Sequence, residues 1–266
     1  MTENEIKNCE RMHYFMQLSS YFSELVDLPN VSFAFTNLLS DTWYNQAYNV
    51  CNLNLKDYKA FFDSCEEVFK KNDREVCFYI TPSASNFSEV LLSSGYALVD
   101  EESWMFYDFT KEICDVDSSV RIVSVDREKL DEFGAFYKAS LPGPEVDAYV
   151  QCVKNGFNAA PPLINIKYYL AYLEEKPVGM LSYLSFGEYA GVYAVAVLED
   201  YQNMGVCKAL VNRIVNVARE SNIKFMFLQT GNGEDSEMIF EKLNFRQQFV
   251  RRGYVKETTI SDITHG

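Results

Sequence analysis

Apolar residues recur every three or four positions in four segments of the second half of the chain, and they form short apolar blocks in six others. The first spacing is typical of amphipathic helices and the second of buried strands. A polar turn that ends at Pro177 separates two of the blocks and indicates a hairpin. The predicted order is β-α-α-β-β-β-α-β-α-β, with strands at 121–125, 167–173, 178–186, 191–197, 225–229 and 247–256 and helices at 126–141, 145–155, 205–220 and 236–243.

The first half of the chain repeats this pattern more weakly. The segments 90–96 (VLLSSGY) and 239–245 (IFEKLNF) both read as a short helix that ends in a turn-prone residue before an aromatic one. Such similarity at a long period indicates an internal duplication, and two unrelated α/β segments are the alternative. A short polar stretch around 111–119 separates the halves, so we expect two units at 1–115 and 119–260. In the first half, strands are predicted at 32–35, 42–50, 77–80 and 104–109 and helices at 57–71 and 88–94.

Composition narrows the class of protein. The 266 residues are 48% hydrophobic and include 20 Phe and 18 Tyr, which is typical of a globular chain. The formal net charge of −14 argues against nucleic-acid binding, because neutralising phosphates needs clustered Lys and Arg. The acidic field would favour a cationic substrate, although solubility is the simpler explanation. No apolar stretch approaches the length of a membrane span and the N-terminus lacks a signal-peptide core, so we expect a cytoplasmic protein without membrane contact.

Cysteine and histidine usage restricts the chemistry. The seven cysteines include no CxxC pair, which favours reduced thiols in a cytoplasmic protein. The two histidines, His13 and His265, lie near the chain ends. We therefore expect neither a histidine-based catalytic triad nor a metal site.

The segment 192–210 (VYAVAVLEDYQNMGVCKAL) carries the most specific chemical signal. An apolar strand leads into a polar turn, a glycine and an amphipathic helix. The first turn of a helix has unpaired N–H groups and the positive end of the helix dipole, so this arrangement forms an anion site. Gly205 lets a phosphate approach the backbone without a Cβ in the way.

This segment also resembles a known family. Gln202-x-x-Gly205-x-Cys207 is similar to the Gln/Arg-x-x-Gly-x-Gly/Ala loop of the GNAT superfamily of N-acetyltransferases, and the predicted order of elements matches as well. The segment 240–245 (FEKLNF) resembles the family's Tyr-x-Lys-x-Gly-Phe signature. The resemblance covers about 120–256. It implies a mixed α/β fold with a mostly antiparallel sheet flanked by helices, and the fainter first half would make the chain a tandem GNAT protein.

The resemblance also implies a donor, acetyl-CoA, and the residues that hold it. Backbone amides of 203–208 would cradle the pyrophosphate, and the strand before the loop would bind the pantetheine arm through its backbone. Asn232 follows the next strand and would hydrogen-bond that arm, or it is simply a turn residue. The donor-binding residues implied are Val195, Val197, Gln202, Asn203, Met204, Gly205, Val206, Cys207, Lys208, Asn232 and Phe240.

Two positions depart from the family pattern. Cys207 stands where Gly or Ala is usual, but its backbone N–H is retained and its side chain is small. Phe240 stands where the family has a Tyr whose hydroxyl protonates the departing thiolate, and Phe has no proton to give. Either another group or water then serves as the acid, or the domain is catalytically slow. A CoA thiolate is a fairly good leaving group, with a thiol pKa of about 8.5 by analogy with cysteine, which favours tolerance of the loss.

The acceptor amine needs a base, and the family often places one near the start of the strand that leads to the loop. Glu188 and Tyr193 lie there and are the candidate catalytic residues. The alternatives are a solvated hairpin residue for Glu188 and a packed core aromatic for Tyr193.

The first half lacks a glycine in the corresponding segment 52–56, where side chains would crowd a phosphate. We therefore expect the first half to shape the acceptor site without binding CoA. The expected activity is acetyl transfer to a primary amine of a small molecule or peptide, by direct attack in a ternary complex. The alternatives are a CoA-binding regulatory or sensor module without turnover and a structural domain without a ligand.

Overall fold

In the computed structural model, which describes residues 1–51, 58–112 and 119–257, eleven strands form one sheet that runs through both halves of the chain. The first half supplies α1 (Glu3–Met16), β1 (Glu24–Leu28), β2 (Val31–Phe35), β3 (Gln46–Tyr48), α2 (Tyr58–Lys71), β4 (Cys77–Ile80), α3 (Ser85–Ser93) and β5 (Tyr96–Tyr107). The second half supplies β6 (Val120–Ser124), α4 (Leu130–Ser140), α5 (Val146–Ala159), β7 (Asn165–Leu173), β8 (Lys176–Phe186), β9 (Tyr189–Val197), α6 (Val206–Glu220), β10 (Phe225–Gly231), α7 (Asp235–Lys242) and β11 (Phe245–Lys256).

The two halves exchange their last strands. The strand order is β1-β2-β3-β4-β11-β5-β10-β9-β8-β7-β6, so β5 lies between β11 and β10, and β11 lies between β4 and β5. Each half therefore completes the sheet of the other. The predicted boundary falls on 113–118, which lie outside the described residues.

The pairing of β5 with β11 is symmetric about its centre. Each strand has one unpaired bulge residue, Val99 in β5 and Gln248 in β11, and these two positions differ by 149 in number. Glu102 and Arg251 differ by the same 149 and pair with each other. The order of strands and helices is also the same in β1–β5 and in β7–β11, with the single parallel pair at the same place in each. This equivalence supports the duplication expected from the sequence.

Residues on the two faces of the sheet belong to different layers. Met105 and Tyr107 pack in the cluster that contains α6, whereas Trp104 and Phe106 pack with α1 on the opposite face. The predicted inner stripe of α6 is buried, and it consists of Val206, Leu210, Ile214 and Val217. Among the described residues, no helix has both the length and the apolar character needed to cross a membrane.

Helix α1 was not predicted from the sequence. It begins with a capping box, in which the Thr2 side chain accepts from the Glu5 amide and the Glu5 carboxylate accepts from the Thr2 amide. Its buried face carries polar as well as apolar groups, namely Cys9, Glu10, His13, Tyr14 and Met16. The helix therefore brings chemically active side chains to the centre of the sheet.

Other predicted elements differ in detail. The predicted strand at 42–50 is a short 3-10 turn (Thr42–Tyr44) followed by β3, because the Asp41 carboxylate caps the turn by accepting from the Trp43 amide. The predicted helix at 126–141 begins four residues later, since the Asp126 carboxylate accepts from the Lys129 amide and holds a turn.

A buried ion cluster lies where the halves meet. Arg251 is 2% exposed and contacts Glu102 at 2.7 Å and Glu10 at 3.4 Å. Burial raises the pKa of Glu10 to about 7, and Arg251 opposes the rise. The cluster joins β5, β11 and α1 at the floor of the cleft described next.

Candidate active site

Strands β9 and β10 form a V-shaped cleft. They pair in parallel only from Tyr189–Gly191 against 225–227 and then diverge. A bulge in β9 marks the divergence: Tyr193 pairs with Ser182 and Ala196 with Met180, and Ala194 has a φ of 49°. A cavity of about 400 Å³ opens between the diverging strands, lined by 192–195 of β9 and 228–231 of β10.

A second cavity, of about 380 Å³, lies between the start of α6 and helix α7. The two cavities share Val195, Ser236 and Phe240 in their walls. The two cavities therefore adjoin, and the pair, here called the groove, extends from the N-terminus of α6 to the cleft between β9 and β10.

The turn before α6 leaves the helix N-terminus open. Gly205 is the N-cap residue with a φ of 78°, and no side chain caps the helix. This left-handed conformation favours glycine over any residue with a Cβ. A Cβ built at this position would meet nothing within 4 Å, so there is room for a ligand beside the backbone. The first amides of the helix have no partner within it and can bind an anion. Lys208 and Lys242 line the same cavity and supply positive charge.

Most of the predicted donor-binding residues lie together in this groove. They are Val195, Val197, Gln202, Asn203, Gly205, Val206, Cys207, Lys208 and Phe240. Met204 lies in the same turn, but its side chain is exposed and lines neither cavity. Burial raises the pKa of the Cys207 thiol to about 11, so this thiol stays protonated at neutral pH.

Asn232 is not placed in the groove. Its Oδ1 accepts from the Ser103 hydroxyl and from Gln247 Nε2, both at 3.1 Å, so the side chain is held by β5 and β11.

Gln229 on β10 lines the cleft instead, and its Nε2 is buried without a hydrogen-bond partner among the described residues. A buried donor of this kind favours a polar ligand in the cleft.

The structure does not bring Glu188 to the cleft. This residue lies in the turn between β8 and β9, where its carboxylate pairs with Lys224 at 2.6 Å. Its carbonyl accepts from the amides of Lys224 and Phe225, which anchors the start of β10. The turn is at the closed end of the β9–β10 pair, whereas the cleft opens after Gly191. The strand was predicted correctly, but its direction places Glu188 away from the site.

Tyr193 lines the cleft. Its ring folds back over Gly191, where a Cβ would be 2.1 Å from the Tyr193 hydroxyl oxygen. The hydroxyl therefore lies at the apex, where β9 and β10 begin to diverge. Burial raises the pKa of Tyr193 well above its ordinary value, so the hydroxyl keeps its proton at neutral pH.

Sequence reasoning missed His13, which α1 brings to the same cavity. His13 Nδ1 lies 3.1 Å from the Tyr193 hydroxyl oxygen. Burial, with a contribution from Arg251, lowers the pKa of His13 well below its ordinary value, so the ring is neutral at neutral pH. A position near the chain end had argued against a histidine site, but it does not limit where the residue lies in the fold. The capping box at Thr2 was the signal that could have predicted the helix.

The outer wall of the cleft is aromatic and comes mainly from the first half. Tyr21, Phe22, Trp43 and Tyr44 line it, together with Tyr137 of α4. The cleft is thus built by both halves. In the part of the chain that the structure describes, no group of three or more His, Cys, Asp or Glu side chains could hold a metal ion.

Comparison with known proteins identifies the class. Residues 131–245 match the acetyltransferase (GNAT) family model. The chain thus contains a GNAT acetyltransferase domain at 131–245. A search of curated proteins found no match to the sequence.

Solved structures of low sequence identity share the fold of the whole chain. A GCN5-related N-acetyltransferase from Kribbella flavida is 13% identical, covers 95% of this chain and 95% of its own, and has a TM-score of 0.70. A GCN5-related N-acetyltransferase from Sphaerobacter thermophilus is 11% identical, covers 86% of this chain and 81% of its own, and has a TM-score of 0.64. A tandem GNAT protein from the clavulanic acid biosynthesis pathway is 11% identical, covers 84% of this chain and 77% of its own, and has a TM-score of 0.58.

Proposed function

We propose that the protein transfers an acetyl group from acetyl-CoA to a primary amine, by direct attack of the amine in a ternary complex. One observation carries the proposal: two adjoining cavities with shared walls extend from an uncapped helix N-terminus to a cleft between two diverging strands. The first end suits a pyrophosphate and the second suits an extended, amide-containing arm. The GNAT family match gives the reaction class.

The chain offers separate groups to each part of the donor. The amides of Val206, Cys207 and Lys208 face the pyrophosphate at the start of α6. The side chains of Lys208 and Lys242 offset its charge. The diverging edge of β9 and the unpaired Gln229 amide serve the pantetheine arm. The reactive thioester then lies in the cleft, near Tyr193.

The amine reaches the thioester from the side of the aromatic wall. A lysine-like amine has a pKa of about 10.4, so only about one molecule in 2,500 is neutral at pH 7. This fraction costs about 4.6 kcal/mol of barrier, which an aromatic, partly desolvated cavity lowers by favouring the neutral amine. The net charge of −14 attracts the protonated form to the protein first.

A CoA-binding sensor without turnover is the second candidate. Phe240 favours it, because this residue lines both cavities at their junction and offers no hydroxyl to the departing thiolate. Both candidates require donor binding, and only the first requires chemistry.

The test is to incubate the protein with acetyl-CoA and a panel of primary amines, and to measure both free thiol and acetylated amine. The enzyme reading predicts equal amounts of the two products for at least one class of amine. Thermal stabilisation by CoA without any acetylated amine would support the sensor. A ligand at 100 times its Kd adds about 2.7 kcal/mol of stability, which a melting experiment detects.

A further inference from the structure

Three polar groups form a hydrogen-bonded chain that ends at the apex of the cleft. Gln17 Nε2 lies 3.0 Å from His13 Nε2, and His13 Nδ1 lies 3.1 Å from the Tyr193 hydroxyl oxygen. All three residues line the cavity between β9 and β10. The first two come from α1 and the residue that follows it, outside the segment that matches the family model.

The contacts of Gln17 bear on the direction in which these three groups donate their hydrogen bonds. An amide nitrogen can only donate, and Gln17 Nε2 also donates to the His13 carbonyl at 3.2 Å. Gln17 Nε2 lies 3.0 Å from His13 Nε2 and 3.3 Å from His13 Nδ1, and the arrangement that takes the shorter contact as the hydrogen bond has Nε2 accepting and the single ring proton on Nδ1. In this arrangement Nδ1–H donates to the Tyr193 oxygen, so the Tyr193 proton is free to point into the cleft.

We infer that the Tyr193 hydroxyl donates a hydrogen bond to the thioester carbonyl oxygen as that oxygen becomes an oxyanion, and that Gln17 and His13 are positioning residues that fix its direction. This inference rests on the proposed function. It assigns Tyr193 the role of a donor, in contrast to the base expected from the sequence.

The chemistry requires such a donor at one moment of the reaction. The amine lone pair forms the C–N bond, and the carbonyl pair moves onto oxygen. When the carbonyl re-forms, the C–S bond breaks with its electrons on sulfur, and the proton lost by nitrogen ends on sulfur. Tyr193 keeps its own proton throughout and stabilises the negative oxygen between these two events. The raised pKa of Tyr193 suits this role, because a donor must not ionise.

The surroundings hold the hydroxyl in place before any substrate binds. Gly191 leaves the space in which the Tyr193 ring lies, and a Cβ there would overlap the hydroxyl oxygen at 2.1 Å. His13 is held in turn against the rings of Trp104 and Phe227. A donor fixed in advance costs no reorganisation when the charge develops.

Nitrogen NMR of the histidines, on the protein without ligand, shows which ring nitrogen of His13 carries the proton and so tests the direction of these hydrogen bonds. The sequence has two histidines, so His265→Gln assigns the signals. We expect His13 to carry its proton on Nδ1 at neutral pH, and Gln17→Met to shift the proton toward Nε2. A His13 with its proton on Nε2 in the parent protein would overturn the inference, whether or not any amine is acetylated.

Kinetics test the role of the hydroxyl. Tyr193→Phe should lower kcat by about 10²-fold, as expected for one oxyanion donor, with the CoA Kd unchanged. Gln17→Met should lower kcat by about tenfold through the misdirected hydroxyl, also at unchanged CoA affinity. Tyr189→Phe is the matched control, because it removes a hydroxyl from the same strand outside both cavities and should leave kcat unchanged.

The result that would overturn the assignment is a Tyr193→Phe protein that keeps at least half of the parent kcat. Absence of turnover in the parent protein with every amine would instead contradict the proposed function. The NMR measurement still decides the hydrogen-bond chain in that case.

Discussion

The two halves of the molecule share one topology but differ in the side chain at one equivalent position, which in the second half lies in the groove. Phe87 of α3 and Ser236 of α7 are equivalent, since their numbers differ by the same 149 that relates β5 to β11. Phe87 is 1% exposed and packs against the rings of Tyr58, Phe61 and Phe62 of α2. Ser236 instead lines both cavities of the second half. In the first half, aromatic side chains thus fill the space that in the second half forms the proposed donor groove.

The equivalent strands β3 and β9 also differ, in their length and in how far they continue past the parallel pair. Strand β3 has three residues and pairs with β4 only at Ala47, whereas β9 has nine residues and continues past its parallel pair to line the cleft. If the proposed function is correct, the equivalent halves differ in CoA binding although they share the fold. On that account, a CoA site needs a long diverging strand and small side chains in the groove in addition to the fold. The glycine-free segment 52–56, which first suggested this difference, lies outside the described residues.

The largest expected effect comes from giving the second half the aromatic residue of the first. Ser236→Phe should fill the junction of the two cavities and weaken CoA binding at least about 100-fold, or about 2.7 kcal/mol, in a calorimetric titration. Met238→Phe is the control, because Met238 is exposed on the same helix outside both cavities. Equal CoA affinity in the two variants would mean that the donor does not lie between α6 and α7.

A smaller effect is expected from the loop glycine. Gly205→Asp places a carboxylate and a Cβ at a left-handed position beside the pyrophosphate, and should weaken CoA binding at least about tenfold, or about 1.4 kcal/mol. Gly187→Asp makes the same change at another left-handed glycine with open space, in the hairpin turn away from the groove. If both variants bind CoA equally well, the turn before α6 is not the donor site.

The smallest effect is expected at Phe240. Phe240→Tyr restores a hydroxyl where both cavities meet, and we expect turnover to rise by less than about tenfold, because the thiolate is already a fairly good leaving group. Because Phe240 lines both cavities, we expect the new oxygen to reach them and the melting temperature to change little. A clearly destabilised variant with unchanged CoA binding would show that the ring edge faces the core, where Phe240 packs on Phe245 at 5.7 Å.

The sequence predicted the parts of the fold that depend on local periodicity. The buried stripe of α6 and the turn around Gly205 follow from residue spacing and from the conformational needs of a helix start. The strand exchange was not predictable, because β5 and β11 pair with partners far away in the chain and no local pattern identifies them.

Residue roles were harder to predict than elements. The structure holds Glu188 and Asn232 outside both cavities, although the sequence had suggested roles for them in the site. Side-chain direction at a turn depends on tertiary partners, here Lys224 for Glu188 and Ser103 for Asn232, and the sequence does not reveal these partners. His13 was set aside because of its position in the sequence. Its place in the cleft depends on how α1 packs on the sheet, which no spacing rule gives.

The most direct test of the account is the stoichiometry of CoA binding to the full chain, measured by calorimetry. The account predicts one site per chain, in the groove between α6 and α7, because Phe87 and its aromatic neighbours fill the equivalent space in the first half. A measured value near two would contradict the difference between the halves, and the absence of any binding would contradict the proposed function itself.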